Sequence, residues 1–215
     1  MNLEKIHRDN RSDMRVRSGH FKAQSFPGAF GHDAVLLAYN FCGVMLEDPP
    51  NSNKGPLISA MRWTVKSKKN RDDKSAWCAY FASFILQWTA DHRREKLVFE
   101  HSGGSVRMFH KNREKHANVI FPGDVELGNA TLLPGDVIIR TRRPQDVDRA
   151  IEGTAVLGHT MLCAGFHEPT GMALTIEGNT NSTGDSEEGG GVWAKRYDFL
   201  HDGRAVAAIR PKVQL

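Results

Sequence analysis

The spacing of apolar residues changes once along this chain, and that change limits the fold more than any other feature. Up to about residue 93 the apolar positions recur at helical spacing. From Leu132 onward the runs are short and strand-like: DVIIR at 136–140, HTMLCAGF at 159–166, MALTIEG at 172–178, then Val192 to Tyr197 and Val206 to Arg210. Turn residues separate each run from the next, as in an antiparallel meander. Helices first and strands afterwards predict an α+β fold, with N-terminal helices packed on a C-terminal antiparallel sheet of about five to six strands. Residues 97–131 are mixed and give no clear period.

Within the helical half, HDAVLLAYNFCGVML predicts a helix from Gly31 to Leu46, stopped by Glu47-Asp48-Pro49-Pro50. A short helix follows over Leu57 to Val65. Arg62 to Lys74 carries six positive and two negative residues and reads as an exposed basic loop. Ser75 then offers an N-cap to a helix in which Trp77, Phe81, Phe84, Ile85 and Trp88 share the period. Its other positions are small or apolar too, so it is expected to be buried nearly all round before Asp91 to Lys96 ends it in charge.

The chain has 215 residues, 40% of them apolar and 25% charged, which excludes a disordered or low-complexity chain. Residues 1–30 are expected to form a basic N-terminal arm and 31–215 a single domain. The net charge is only +4, and no nucleic-acid motif accompanies the basic runs, so nucleic acid is not an expected partner. No apolar core follows the first basic residues, as a secretory signal would require, and the stretch Trp77 to Leu86 is far too short to span a membrane. Synthesis in a cytosol is the expectation. Cys42, Cys78 and Cys163 are odd in number and far apart, which gives neither a disulfide framework nor a CxxC metal pair. Gly103-Gly104 and Gly189 to Gly191 lack the strand–loop–helix context and lysine of a phosphate loop. His92, His101, His110 and His116 lack the close spacing of a zinc motif. No cofactor or metal is therefore expected.

Cys78 would occupy the third helical position if Ser75 is the cap, where free amides and the macrodipole stabilise a thiolate. Position alone leaves a small buried core residue open as the alternative. Cys42 and Cys163 are expected in the core. A thiolate nucleophile needs a base, and the base needs a polar group to orient it. A three-residue loop centred on Pro169 would set His159 opposite Asn179 and Met161 opposite Glu177. Alternation would then gather His159, Glu177 and Asn179 on one face. A carboxylate preceded by Leu174 and Ile176 is costly to bury without a partner, and an imidazole supplies one.

Taken in order, EDPPNSNKGP, WCAYFASFIL, PGDVIIR, GHTMLCAGF, TIEGNTN and GGGVW resemble the CHAP group of cysteine, histidine-dependent amidohydrolases and peptidases, within the papain-like superfamily. The resemblance covers residues 31–210. It implies hydrolysis of an amide bond in peptidoglycan peptide, by an N-acetylmuramoyl-L-alanine amidase or a peptide endopeptidase. It further implies Cys78 as nucleophile, His159 as base and later acid, Glu177 as the group orienting His159, and Asn179 as a second polar member. The oxyanion would be held by the Cys78 amide and a second donor, placed near Asn70 to Ser75. Some relatives carry an acidic calcium loop before the cysteine, whereas Lys66 to Lys74 is basic, which argues against a calcium requirement. The partners implied are peptidoglycan and a phage or secretion component, with an immunity protein if the chain is a secreted antibacterial effector. A papain-like peptidase or deamidase acting on a protein, and a non-catalytic cell-wall-binding module, are the alternatives.

Overall fold

A computed structural model describes residues 30–65, 75–182 and 189–214. The expected N-terminal arm, apart from its last residue, and the basic loop 66–74 lie outside the described residues. The fold is α+β, with six α-helices, a six-stranded antiparallel sheet and a separate two-stranded one among the described residues. In chain order the elements are α1 (Phe30–Tyr39), α2 (Pro56–Thr64), α3 (Cys78–Arg93), β1 (Lys96–Val98), α4 (Ser105–His116), β2 (Val119–Ile120), α5 (Pro122–Glu126), β3 (Val137–Thr141), α6 (Val147–Ile151), β4 (Gly158–His167), β5 (Met172–Thr180), β6 (Gly191–Asp198), β7 (Ala205–Ile209) and β8 (Lys212–Gln214). No helix among the described residues is long and apolar enough to cross a membrane.

The sheet order is β2-β7-β3-β4-β5-β6, so only β3 to β6 form the expected meander. β7 crosses back to lie beside β3, and its composition gives the reason. Its five residues, Ala-Val-Ala-Ala-Ile, are all buried, a pattern suited to an interior strand covered on both faces. By contrast, β6 has half-exposed and exposed positions through its middle and lies at the sheet edge. Two clusters cover the faces. One joins the helices to Val137, Ile139, Leu162, Ile176 and Val206; the other gathers Ile138, Met161, Cys163, Tyr197, Phe199 and Ala208.

Helix α3 is the centre of the larger cluster. Eleven of its sixteen residues are buried, as its unbroken small and apolar composition demands. Phe81 and Phe84 both meet Phe41 edge to face, while Trp77 meets Phe81. The helix lies directly on β5 because Gly178 has no side chain: a Cβ there would fall 2.7 Å from the Trp77 ring and 2.8 Å from Phe81.

Three sequence expectations change. Helix α1 ends at Tyr39, so Cys42 lies beyond it, half-buried, in a bridge with Val192. Arg62 is buried rather than exposed; its guanidinium donates to the carbonyls of Asn53 (3.0 Å) and Ser75 (2.8 Å) and ties down the approach to α3. Gly103 and Gly104 do stand between a strand and a helix, with Gly104 as the N-cap of α4. Gly103 is required by contact, since a Cβ would meet the Tyr80 hydroxyl at 2.2 Å.

Candidate active site

The N-cap of α3 is Trp77, not Ser75, and Cys78 is its first helical residue rather than its third. Trp77 makes no capping hydrogen bond; its indole N–H instead donates to Glu47 Oε1 at 3.0 Å. The cysteine is therefore placed at the helix start by packing: Trp77 against Gly178 on one side and the Arg62 anchor of Ser75 on the other. Trp77 itself gives the first-turn amides no side-chain cap.

Strands β4 and β5 bring the histidine and the carboxylate to this point. Leu162 pairs with Ile176 and Cys163 with Thr175, which is the offset expected from the sequence, but it arises differently. The turn spans four residues between His167 and Met172, and a bulge between Cys163 and Gly165 restores the offset. The ladder also stops at Leu162–Ile176 and does not extend to Met161–Glu177 or His159–Asn179. Because the Cys163 N–H donates toward β3, to Asp136 O at 2.8 Å, alternation turns the Thr160 N–H toward the β5 side. There the ladder has ended, and Cys78 accepts that N–H.

His159 Nε2 and Glu177 Oε2 are 3.0 Å apart, both side chains almost wholly buried. The second carboxylate oxygen accepts from Thr175 Oγ1 at 2.7 Å. Alternation thus succeeds for His159 and Glu177. Asn179 is buried too and sits in a bulge between Gly178 and Thr180 with φ 60°. The bulge interrupts the regular strand alternation on which the expected placement of Asn179 rests.

The electrostatics follow from the contacts. Burial pushes the Cys78 thiol up, but the charge and hydrogen bond of His159, the Thr160 amide and the Ser105 hydroxyl together hold it below its usual value. Burial pulls His159 down, yet the thiolate and Glu177 outweigh that and raise it to about 9. Burial also pushes Glu177 up, and His159, Thr175 and the charge of Lys195 bring it below the ordinary carboxylate range. The arrangement favours a thiolate–imidazolium pair, the reactive form of a cysteine nucleophile.

Sequence reasoning missed Ser105, the first residue of α4, whose Oγ is 3.9 Å from Cys78 Sγ. Thr160, on the opposite face of β4 from His159, donates to Ser105 Oγ at 2.8 Å. Ser105 also lines an open cleft of about 930 Å³, together with Ser75, Tyr80, Arg107, His110 and Val156. His110 is tied to the Ala150 carbonyl at 2.7 Å. The helical spacing of Val106, Phe109 and Asn112 could have found α4, but its buried Asn112 reads as polar. That amide bonds Glu100 and Met108 backbone atoms at 2.9–3.0 Å. Of the expected second oxyanion donor, positions 70–74 lie outside the described residues, and Ser75 lines the cleft.

Comparison with family models, with curated proteins and with solved structures gives no match.

Proposed function

We propose that this chain is a cysteine-dependent amidohydrolase or peptidase of the CHAP type, cleaving an amide bond in peptidoglycan peptide. The observation that carries the reading is the buried Cys78–His159–Glu177 relay at the start of helix α3, beside an open cleft. A free thiol in a core has no need of an imidazole, and an imidazole has no need of a buried carboxylate. Together they match the requirements of nucleophilic acyl transfer.

In that reaction the Cys78 thiolate attacks the peptide carbonyl, a C–S bond forms, and the carbonyl electron pair moves to oxygen. The Cys78 N–H, free at the helix start, donates to the oxyanion. Collapse of the intermediate expels the amine, which takes its proton from imidazolium His159. His159 then accepts a proton from water as the acyl-enzyme is hydrolysed. Glu177 holds the imidazole in orientation and supports its charged form. Asn179 is kept as a second polar member on the resemblance alone. Cell-wall peptide is the substrate class that the motif resemblance supplies, in a phage lysin or a secreted antibacterial effector.

The test is digestion of purified peptidoglycan by the wild type and by Cys78→Ala, with products identified by mass. Cleavage that disappears in the variant supports the proposal, and the new termini name the bond. Equal cleavage by both, or none by the wild type on several wall chemotypes, overturns it.

A further inference from the structure

We propose that the Ser105 hydroxyl is the second oxyanion donor of this site, an inference that rests on Cys78 being the nucleophile. Three observations converge on it. Ser105 Oγ is in contact with Cys78 Sγ at 3.9 Å, so it is near enough to donate to the oxygen of a carbonyl attacked by that sulfur. Its hydroxyl is buried, yet the residue forms part of the cleft wall, so a substrate carbonyl entering from the cleft passes it. Finally, the Thr160 hydroxyl donates to Ser105 Oγ at 2.8 Å. A hydroxyl carries one proton and two acceptor positions. With one acceptor position occupied by Thr160, the Ser105 proton is free to turn toward the sulfur and the space beside it.

Two elements fix this geometry independently of Cys78. Ser105 is the first residue of α4, after Gly104, and it packs against Gly158: a Cβ on that glycine would lie 3.2 Å from the Ser105 Cβ. The donor is therefore held in place before substrate arrives, which is what makes an oxyanion hole effective. In the step itself, the thiolate adds to the carbonyl carbon and the π electrons pass to oxygen. The Ser105 O–H and Cys78 N–H donate hydrogen bonds to that oxygen without transferring their protons. When C=O re-forms, the C–N bond breaks and the amine leaves with the proton of His159.

The experiment compares two reactions of the same sulfur. Acylation by p-nitrophenyl acetate passes through an oxyanion, whereas alkylation by iodoacetamide displaces iodide and forms none. Ser105→Ala is expected to slow Cys78 alkylation by the part of the thiolate that its hydroxyl supports, and to slow the acylation burst on the order of 10²–10³-fold beyond that. Thr160→Val leaves the Ser105 proton in place, and its loss of acylation rate is expected to be much smaller than that of Ser105→Ala. Ser105→Gly removes the same hydroxyl and supplies the same comparison if Ser105→Ala does not fold. Acylation that is unchanged in Ser105→Ala, or that falls only in step with alkylation, overturns the inference and leaves the nucleophile intact. So does a Thr160→Val loss as large as that expected for Ser105→Ala. A wild-type protein that is alkylated no faster at Cys78 than at Cys163, and is not acylated, overturns the reading of the site and this inference with it.

Discussion

Cys78 and Cys163 are both buried thiols beside the same sheet, and their surroundings drive them in opposite directions. Cys163 sits in the second cluster, where burial and the charge of Asp136 push its thiol up to about 12. The Arg210 guanidinium opposes this only weakly, because it is engaged with Asp136 through bonds of 3.0 and 2.8 Å. Cys78 is buried too, but its neighbours are an imidazole, a backbone N–H and a hydroxyl, and these reverse the effect of burial. Burial alone therefore says nothing about reactivity. The partners decide, and in this fold they are delivered where the β4–β5 ladder ends.

Two of the buried carboxylates, Asp136 and Glu177, teach the same lesson. Asp136 is held by Arg210 and the Leu133 amide, a closed arrangement with no nucleophile in it. Glu177 is held by His159 and Thr175, and its histidine reaches onward to Cys78. The first arrangement fastens the strand ends at β3 and β7, and the second connects a carboxylate to a sulfur.

The largest expected effect comes from removing the imidazole. His159→Ala is expected to lower amide hydrolysis by about 10²–10⁴-fold and to slow Cys78 alkylation at neutral pH. Steady-state kinetics with mass-mapped labelling would check both, and full activity without His159 would break the contrast with Cys163. Next comes the pH profile. The proposed hydrolysis requires thiolate Cys78 and protonated His159, so activity is expected to fall as pH rises through about 9, the value to which His159 is raised. Glu177→Gln removes the negative charge that supports imidazolium, so the descending limb moves to lower pH, with roughly tenfold in its equilibrium for each unit of movement. A limb that stays in place would show that Glu177 does not act through His159. The smallest effect belongs to Cys163→Ala, with a loss of about 1 kcal/mol in stability and unchanged hydrolysis, checked by denaturant unfolding and an activity assay.

How much of this was legible in the sequence depended on whether the signal was local. The period change around residue 131 announces α+β, and the unbroken small and apolar run of α3 announces its burial. The His159–Glu177 pairing was legible because strand alternation is rigid over a few residues. Even so, the turn was one residue longer than expected, and the bulge at Cys163/Gly165 cancelled the error. At Asn179 a second bulge, invisible in a one-dimensional pattern, breaks the alternation just where it was being extended. Ser75 has the side chain of a cap, but Arg62 holds its carbonyl and Trp77 takes the cap position. The return of β7 to β3 is a long-range choice, hinted at only by five buried residues in a row. Ser105 was beyond reach because contact with Cys78 depends on α4, whose polar face hid its period.

The most direct measurement is the pH dependence of iodoacetamide alkylation, followed separately at each cysteine by peptide mass mapping. Cys78 is predicted to react first, already at neutral pH, with a profile midpoint below that of an ordinary thiol, while Cys42 and Cys163, both pushed up to about 12, stay unmodified. Equal labelling of the three, or a Cys78 midpoint at or above that of a free thiol, would contradict an activated nucleophile at the head of α3.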